Sequence, residues 1–418
     1  MKLLPALFFL GAFLASPAGA EPLSWQKCVE EAAEGNANLQ AAEERLRSAE
    51  RQAQAARSGY YPQVTGTLGY SYGENSFSGG TGGSGDPQSS FNAEIEARQN
   101  LFAGFQDEAK VTQAQAAVEV ARTALETARA ETSFALKGAF ERLSYAQENR
   151  KLTQEIIRRR EENLRLVALR FESGRENKGS VRLFEAYLDQ ARYEDLQATH
   201  AVLTARSELA RVLGREKDDL EATGAVPVDV PEEKPAFEEI AKKTPAYREA
   251  VARREAALAA IGLARSPFYP SLDLTGSAAR EGEEFEDGRW SVGVDLTLPL
   301  FSGFKDYHGT ESARSELLAA SADAQAAIRQ VRVSLRETHA AYVESLQKLK
   351  ADEGFLEAAT LRAEISRSKY NNGLLSFEDW DLIENDLIDR QKRYLQSRRD
   401  RVTSQAAWER AQGKAVLP

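Results

Sequence analysis

The chain of 418 residues carries 64 acidic and 54 basic side chains, a formal net charge of −10 with a pI near 5.2. That balance excludes nucleic acid as a partner, because nucleic acid is bound through clustered positive charge. One cysteine, Cys28, excludes an intrachain disulfide.

Residues 1–20 read as a secretory signal: Lys2, an apolar stretch from Leu3 to Ala15, then Ser16-Pro17-Ala18-Gly19-Ala20 ahead of Glu21. The apolar stretch is shorter than the ~20 residues a membrane-spanning helix needs, and no later segment is longer. The mature chain is expected to start near Glu21 in an exported compartment, and any membrane segment must be built of strands. A lipidated start would place a cysteine where Glu21 stands. Cys28 follows in the helical phrase Trp25-Gln26-Lys27-Cys28-Val29-Glu30-Glu31, where it reads as a small buried apolar residue.

Amphipathic helices are expected over 24–36 and 37–60. Then the period changes to two: Val64, Gly66, Leu68, Tyr70 and Tyr72 alternate with polar neighbours, and Phe91, Ala93, Ile95 and Ala97 alternate with Asn92, Glu94, Glu96 and Arg98. Strands over 62–73 and 91–102 form a hairpin around a Gly/Ser-rich loop at 76–90. That loop lacks the Gly-Lys-Ser/Thr ending of a phosphate cradle. A proline-free segment, 106–171, rich in Ala, Leu, Glu, Gln and Arg, predicts one helix of about 100 Å at 1.5 Å per residue. Within it Arg158-Arg159-Arg160-Glu161-Glu162 reads as a solvated face. The helix stops at Gly174 and a second one returns from about Ser180 to Gly214.

Residues 215–235, with prolines at 227, 231 and 235, read as a linker, after which the whole order recurs. Arg57-Ser58-Gly59-Tyr60-Tyr61-Pro62 returns as Arg265-Ser266-Pro267-Phe268-Tyr269-Pro270, an offset of 208. Asn100-Leu101-Phe102-Ala103-Gly104-Phe105 returns as Pro299-Leu300-Phe301-Ser302-Gly303-Phe304, an offset of 199 that also relates Gly174 to Gly373 and Gly214 to Gly413. The chain is therefore a duplication: residues 21–214 and 236–413, with a tail at 414–418. The second copy repeats short helices over 237–243 and 245–265, strands over 270–280 and 289–300, a helix over 305–370, and a return helix from Ser376, which forms a capping box with Asp379. Leu272, Leu274, Gly276 and Ala278 alternate with Ser271, Asp273, Thr275 and Ser277; Trp290, Val292, Val294, Leu296 and Leu298 alternate with Ser291, Gly293, Asp295 and Thr297.

One apolar and one charged face suit strands between lipid and a wet lumen, with Glu94, Glu96, Arg98, Asp273 and Asp295 as pore-lining candidates of net cation preference. Membrane barrels begin at about eight strands and tolerate no open edge, so four strands require oligomerisation. His200, His308 and His339 are scattered without metal-ligand spacing, and no zinc motif, nucleophile elbow or dinucleotide fingerprint appears. No catalytic residue, metal or cofactor is expected.

The duplicated order of helix, hairpin, long helix, glycine turn and returning helix resembles the TolC-like outer membrane efflux proteins, the outer membrane factors, over essentially the whole mature chain. Leu23-Ser24-Trp25, the two Tyr-Pro pairs, the two Leu-Phe-(Ala/Ser)-Gly phrases and Lys369-Tyr370 before Gly373 carry the resemblance. It implies a mainly α chain with a membrane β-barrel part: a homotrimer with a twelve-stranded barrel in the lipid of a Gram-negative outer membrane, over a twelve-helix periplasmic tunnel. It further implies a passive duct for efflux or type I secretion, whose glycine turns, 172–180 and 370–379, dock a periplasmic adaptor serving an inner-membrane pump. Gly174, Ser180, Gly373 and Ser376 mark those turns. Of the family's gating residues, the tyrosine falls at Tyr370 and the first aspartate at Asp379. The second aspartate falls at Leu382 and the arginine at Leu375, leaving Asp381 as a substitute. Asp379 reads equally as a ring of carboxylates and as an ordinary helix cap. The alternative from another class is an exported coiled-coil structural or adaptor protein without a pore, which would need no paired amphipathic hairpins.

Overall fold

The computed structural model describes residues 21–73, 88–282 and 287–417. The expected signal segment 1–20, nearly all of the loop 76–90 and the last residue of the tail lie outside the described residues. In order, the elements are β1 (Glu21–Ser24), α1 (Trp25–Gly35), α2 (Ala37–Ala55), β2 (Gln63–Gly73), β3 (Gln88–Ala103), α3 (Gln106–Glu172), α4 (Lys178–Leu213), β4 (Leu220–Thr223), α5 (Phe237–Lys243), α6 (Pro245–Arg265), β5 (Ser271–Gly282), β6 (Asp287–Thr297), α7 (Lys305–Asn371) and α8 (Phe377–Gln412). Among the described residues, no helix is long and apolar enough to cross a membrane.

Helices α3 and α7 each run 67 residues without a proline, about 100 Å at the standard rise. In water most of a helix's stability comes from packing against neighbours, and these have several. Near the strands, α2 packs on α3, and α6 lies between α3 and α7; farther on, α4 and α8 return along α3 and α7, and α8 also packs on α3. Alanine at Ala139, Ala146, Ala191, Ala205, Ala359 and Ala363 buries almost completely at these seams, which lets the helix axes approach closely.

The four long strands form one antiparallel sheet in the order β2-β3-β5-β6, so that β3 and β5 join the two copies. Register follows the period-two pattern. Leu68 faces Ala93, Gly66 faces Ile95, Ala278 faces Trp290 and Leu274 faces Val294, which collects the apolar side chains on one face. Trp290 on that face is 81% exposed, since none of the described residues covers it. The opposite face carries Thr65 against Glu96, Asn100 against Asp273 and Asp273 against Asp295. Strands β2 and β6 are edges.

The recurring Leu-Phe-x-Gly-Phe phrase is the joint between sheet and helix. Gly104 and Phe105 both take left-handed backbone, φ 58° and 65°, as do Gly303 and Phe304, φ 64° and 66°. A phenylalanine there is strained, and aromatic packing holds it: the Phe105 ring meets Phe102 and Tyr269 edge-on at 5.2 and 5.4 Å. A Cβ on Gly104 would stand 2.5 Å from the Ser266 carbonyl oxygen and 2.8 Å from the Tyr269 Cβ. The first copy's joint thus docks on the strand start of the second copy.

The main core lies midway along the bundle, where Leu23, Trp25, Cys28, Leu136, Phe140, Leu143, Leu209 and Leu213 cluster. Burying each large side chain contributes about 1.5–3 kcal/mol. Cys28 is fully buried, and that burial pushes its thiol up to about 11. One expectation is corrected here: residues 215–235 are more than a linker. Leu220–Thr223 pairs in parallel with Glu21–Ser24, and Arg215 clamps Glu21 at 2.7 Å and Glu31 at 2.6 Å.

Candidate functional site

The far end of the bundle is built from two turns of the same design. Helix α3 ends with Gly174 at φ 71°; the Gly174 amide donates to the Phe171 carbonyl at 2.9 Å and Arg175 to Arg170 at 2.8 Å. Helix α7 ends with Gly373 at φ 75°, Gly373 donating to Tyr370 at 3.0 Å and Leu374 to Lys369 at 2.9 Å. Both are paired 6→1 and 5→2 closures, which need the left-handed glycine. The return helices are capped differently. The Asn177 side chain accepts from the Ser180 amide at 3.0 Å, whereas the Ser376 hydroxyl accepts from the Asp379 amide at 3.1 Å and lies 2.8 Å from its carboxylate. Ser180, expected to begin α4, is its third residue, buried, and bonds Glu176 at 2.9 Å.

Behind the turns lies a stack of rings. Trp380 is sandwiched between Phe184 at 5.4 Å and Tyr370 at 4.3 Å, each within 7° of parallel. Arg170 sits over the outer face of Tyr370 at 4.3 Å and donates to its carbonyl at 2.7 Å. The Tyr370 hydroxyl donates to Glu176 at 3.0 Å, and burial together with that carboxylate holds its proton more tightly than in an ordinary tyrosine. Tyr370 therefore bridges the second turn to the first.

Two to three helical turns farther in, charge crosses between the copies. Arg159 of α3 grips Glu384 of α8 through two bonds, 2.6 and 3.0 Å, and the Asn163 amide adds a third at 3.0 Å. Glu384 is 0% exposed. Arg160 bonds Asn385 at 2.6 Å and covers the Tyr187 ring at 4.5 Å; burial makes its guanidinium easier to deprotonate than usual. Asp381 completes the set, accepting from Tyr187 at 3.3 Å and Asn385 at 3.0 Å, with its pKa raised chiefly by burial. This corrects the reading of 158–162 as a solvated face: Arg158 is exposed, but Arg159 and Arg160 turn into the interface. The charge run gave no sign of that partition, because the partner Glu384 lies 225 residues away.

The expected tip residues divide accordingly. Asp379 is exposed at the turn as part of the Ser376 cap, Leu382 and Leu374 are exposed beside it, Asp381 faces inward, and Tyr370 is buried. At the other end of the molecule, Glu94, Glu96, Arg98, Asp273 and Asp295 share one face of the sheet. They are not equivalent: Arg98 covers Asp273 at 2.7 Å, leaving that carboxylate 6% exposed, and Thr275 donates to Asp295 at 3.0 Å. Among the described residues, no group of three or more acidic, histidine or cysteine side chains is placed to hold a metal ion. His339 packs against Trp408 and bonds the Glu232 carbonyl at 2.9 Å.

A model of the outer membrane efflux protein family matches residues 28–215 and again residues 237–414. The protein CyaE of Bordetella pertussis is 31% identical over 176 residues, 39% of this chain and 36% of that protein. The outer membrane protein OprJ of Pseudomonas aeruginosa is 24% identical over 273 residues, 62% of this chain and 53% of that protein. The matches thus span about a third and about half of those relatives' lengths. Among solved structures, the Campylobacter jejuni CmeC outer membrane channel superposes with a TM-score of 0.82 at 17% identity, covering 93% of this chain and 85% of that one; it shares the fold.

Proposed function

We propose, from the premise that this chain belongs to the outer membrane efflux protein family, that three copies close a twelve-stranded barrel over a twelve-helix tunnel and serve as a passive exit duct. The observation that carries this reading is the sheet: both edges open, one face apolar and uncovered, the other charged. The open edges and the charged face are not compatible with a single chain in lipid.

The duplication supplies the seam between copies. Within the chain Phe105 docks on Tyr269; applying the offsets of 199 and 208 makes Phe304 dock on Tyr61 of the next copy. All the groups required are uncovered: Leu300, Phe301, Phe304, Tyr60 and Tyr61 are exposed, and Gly303, unlike Gly104, has open space around it. The pairing of Ala97 with Gly276 likewise places Leu296 opposite Leu68 of the next copy, apolar against apolar.

The turns at Gly174 and Gly373, with Ser180 and Ser376 beside them, are the docking surface for a periplasmic adaptor linked to an inner-membrane pump. Three copies of Asp379 ring the tunnel entrance, Tyr370 and Asp381 hold it shut, and the pump sets the cargo, whether a small molecule or a secreted protein. In the barrel, Glu94, Glu96 and Asp295 give a cation preference, Arg98 being matched by Asp273.

Single-channel recording of the purified protein in planar bilayers tests the reading. Discrete conductance, cation-selective by reversal potential and blocked from the tunnel side by a divalent cation less well in Asp379→Ala, is the expected result. Anion selectivity would remove the cation preference assigned to Glu94, Glu96 and Asp295, block unchanged by the substitution would remove the Asp379 ring, and failure to form a membrane-inserted oligomer would favour a structural protein without a pore.

A further inference from the structure

Among the described residues, the apolar face of the sheet carries one charge. Arg280 stands two residues before the end of β5, on the hairpin side away from the helices, and shares a cross-strand row with Ala93 and Gly288. Its nearest sequence neighbour of opposite charge, Glu281, lies on the other face, bonded to Arg289 at 2.9 Å. Arg280 is exposed and makes no hydrogen bond or ion pair with the described residues. A cation on a lipid-facing surface is costly at mid-membrane and tolerated near the interface, where it meets headgroups.

Below it the surface is hollow. The next row sets Ala278 between Ile95 and Trp290, and the row after that places Gly276 on the same line of β5. Around Arg280 the small residues Ala93, Ala278 and Gly288, flanked by Leu68, Ile95 and Trp290, leave a shallow hollow of about 690 Å³ that crosses the sheet from β2 to β6. From Arg280 to Leu274 the strand covers roughly 20 Å at 3.3 Å per residue, comparable with one leaflet's ~15 Å of hydrocarbon once the strand is tilted.

We propose that this groove is a binding site for a phosphorylated glycolipid of the outer leaflet, lipid A, with a phosphate on Arg280 and an acyl chain over Ala278 and Ala93. The proposal rests on the reading of the apolar face as lipid-facing, with the helical tunnel on the periplasmic side; that orientation places Arg280 in the outer leaflet. A guanidinium matches a phosphate with two parallel bonds, which a zwitterionic or uncharged lipid does not reproduce as well. The groove supplies apolar area without any large side chain to displace.

The test uses the whole mature protein in detergent, with bound lipid counted by native mass spectrometry after addition of lipid A, phosphatidylglycerol or phosphatidylethanolamine. Wild type should retain lipid A about tenfold better than either phospholipid. Arg280→Gln should lose most of that preference, Arg280→Lys should keep part of it, Ala278→Leu should weaken retention by filling the groove, and Arg57→Gln, an exposed cation at the helix end of the sheet, should leave it unchanged. Retention in Arg280→Gln equal to wild type, or lost equally in Arg57→Gln, overturns the site. Equal retention of phosphatidylglycerol overturns the assignment to the outer-leaflet glycolipid. The same samples are assayed for bilayer insertion: a wild type that does not insert overturns the channel reading and this site with it, whereas insertion with lipid retention indifferent to Arg280 overturns the site alone.

Discussion

Glu384, buried completely in the second copy, is held by both ends of its carboxylate on Arg159 of the first, at 2.6 and 3.0 Å. Removing one partner of such a pair leaves the other charge desolvated, at a cost of about 3–5 kcal/mol. Glu384→Ala should therefore lower the stability of the tunnel end by about 3 kcal/mol, Arg159 retaining some solvent access. A double-mutant cycle with Arg159→Ala, read by denaturant unfolding, should give a coupling energy of about 2 kcal/mol. Additive losses would mean the two charges are independently solvated.

The ring stack offers a second check. Trp380→Ala removes the middle ring between Phe184 and Tyr370 and should cost about 3–5 kcal/mol. Tyr370→Phe keeps the ring and loses only the bond to Glu176, about 1 kcal/mol. Limited proteolysis at the two glycine turns should accelerate strongly in the first variant and little in the second.

The proposed seam makes a geometric prediction. Tyr61→Cys together with Phe304→Cys should cross-link between copies under mild oxidation, giving a trimer that survives heating in detergent, while either substitution alone should not. Cys28 does not interfere, because its thiol is buried and pushed up to about 11. Gly303→Ala, which meets nothing within one chain, should still impair trimer formation, since the equivalent Gly104 faces the Ser266 carbonyl oxygen.

Midway along α3, burial raises the Glu141 carboxyl to about 7, with Arg398, Arg401 and Arg399 opposing that rise and Glu148 adding to it. A carboxyl whose folded pKa lies above its unfolded value of 4.5 favours the folded state below pH 4.5, and that contribution is lost as pH rises through 7. Glu141→Gln should thus stabilise the protein at pH 8 by about 1 kcal/mol, after allowance for partial solvent screening, and leave it unchanged at pH 4. Thermal unfolding at the two pH values decides it.

Much of this architecture was legible because it rests on repetition. Period two marked the strands, proline-free stretches marked α3 and α7, and matched glycines marked the turns. What escaped the sequence is what depends on contacts between distant segments. Strands β1 and β4 are four residues each, too short to show a period, and their pairing accompanies the burial of Leu23 and Leu220 in the core and the contacts of Arg215 with Glu21 and Glu31. Nothing in the sequence pattern singles out Trp380, yet it is the centre of the ring stack at the tip. Arg159 and Arg160 sat in a run that suggested solvent, and only the placement of α8 against α3 assigns them partners. Asp379 was read both as a cap and as a ring; the cap is present in a single chain, while the ring requires three.

The two halves share a backbone but no longer share an assignment of charge. Arg159 and Arg160 correspond to Ala358 and Ala359, Asp381 to Arg182, and Trp380 to Val181. In the proposed trimer the ring of helix pairs therefore has two kinds of joint in alternation: three inside chains, latched by guanidinium on carboxylate, and three between chains, where the same offset sets the exposed Ala358 opposite Glu185. A cylinder built this way has its hinges and its clasps already allotted. It yields first at the three joints between subunits, so that widening the mouth demands no breakage of any ion pair within a chain.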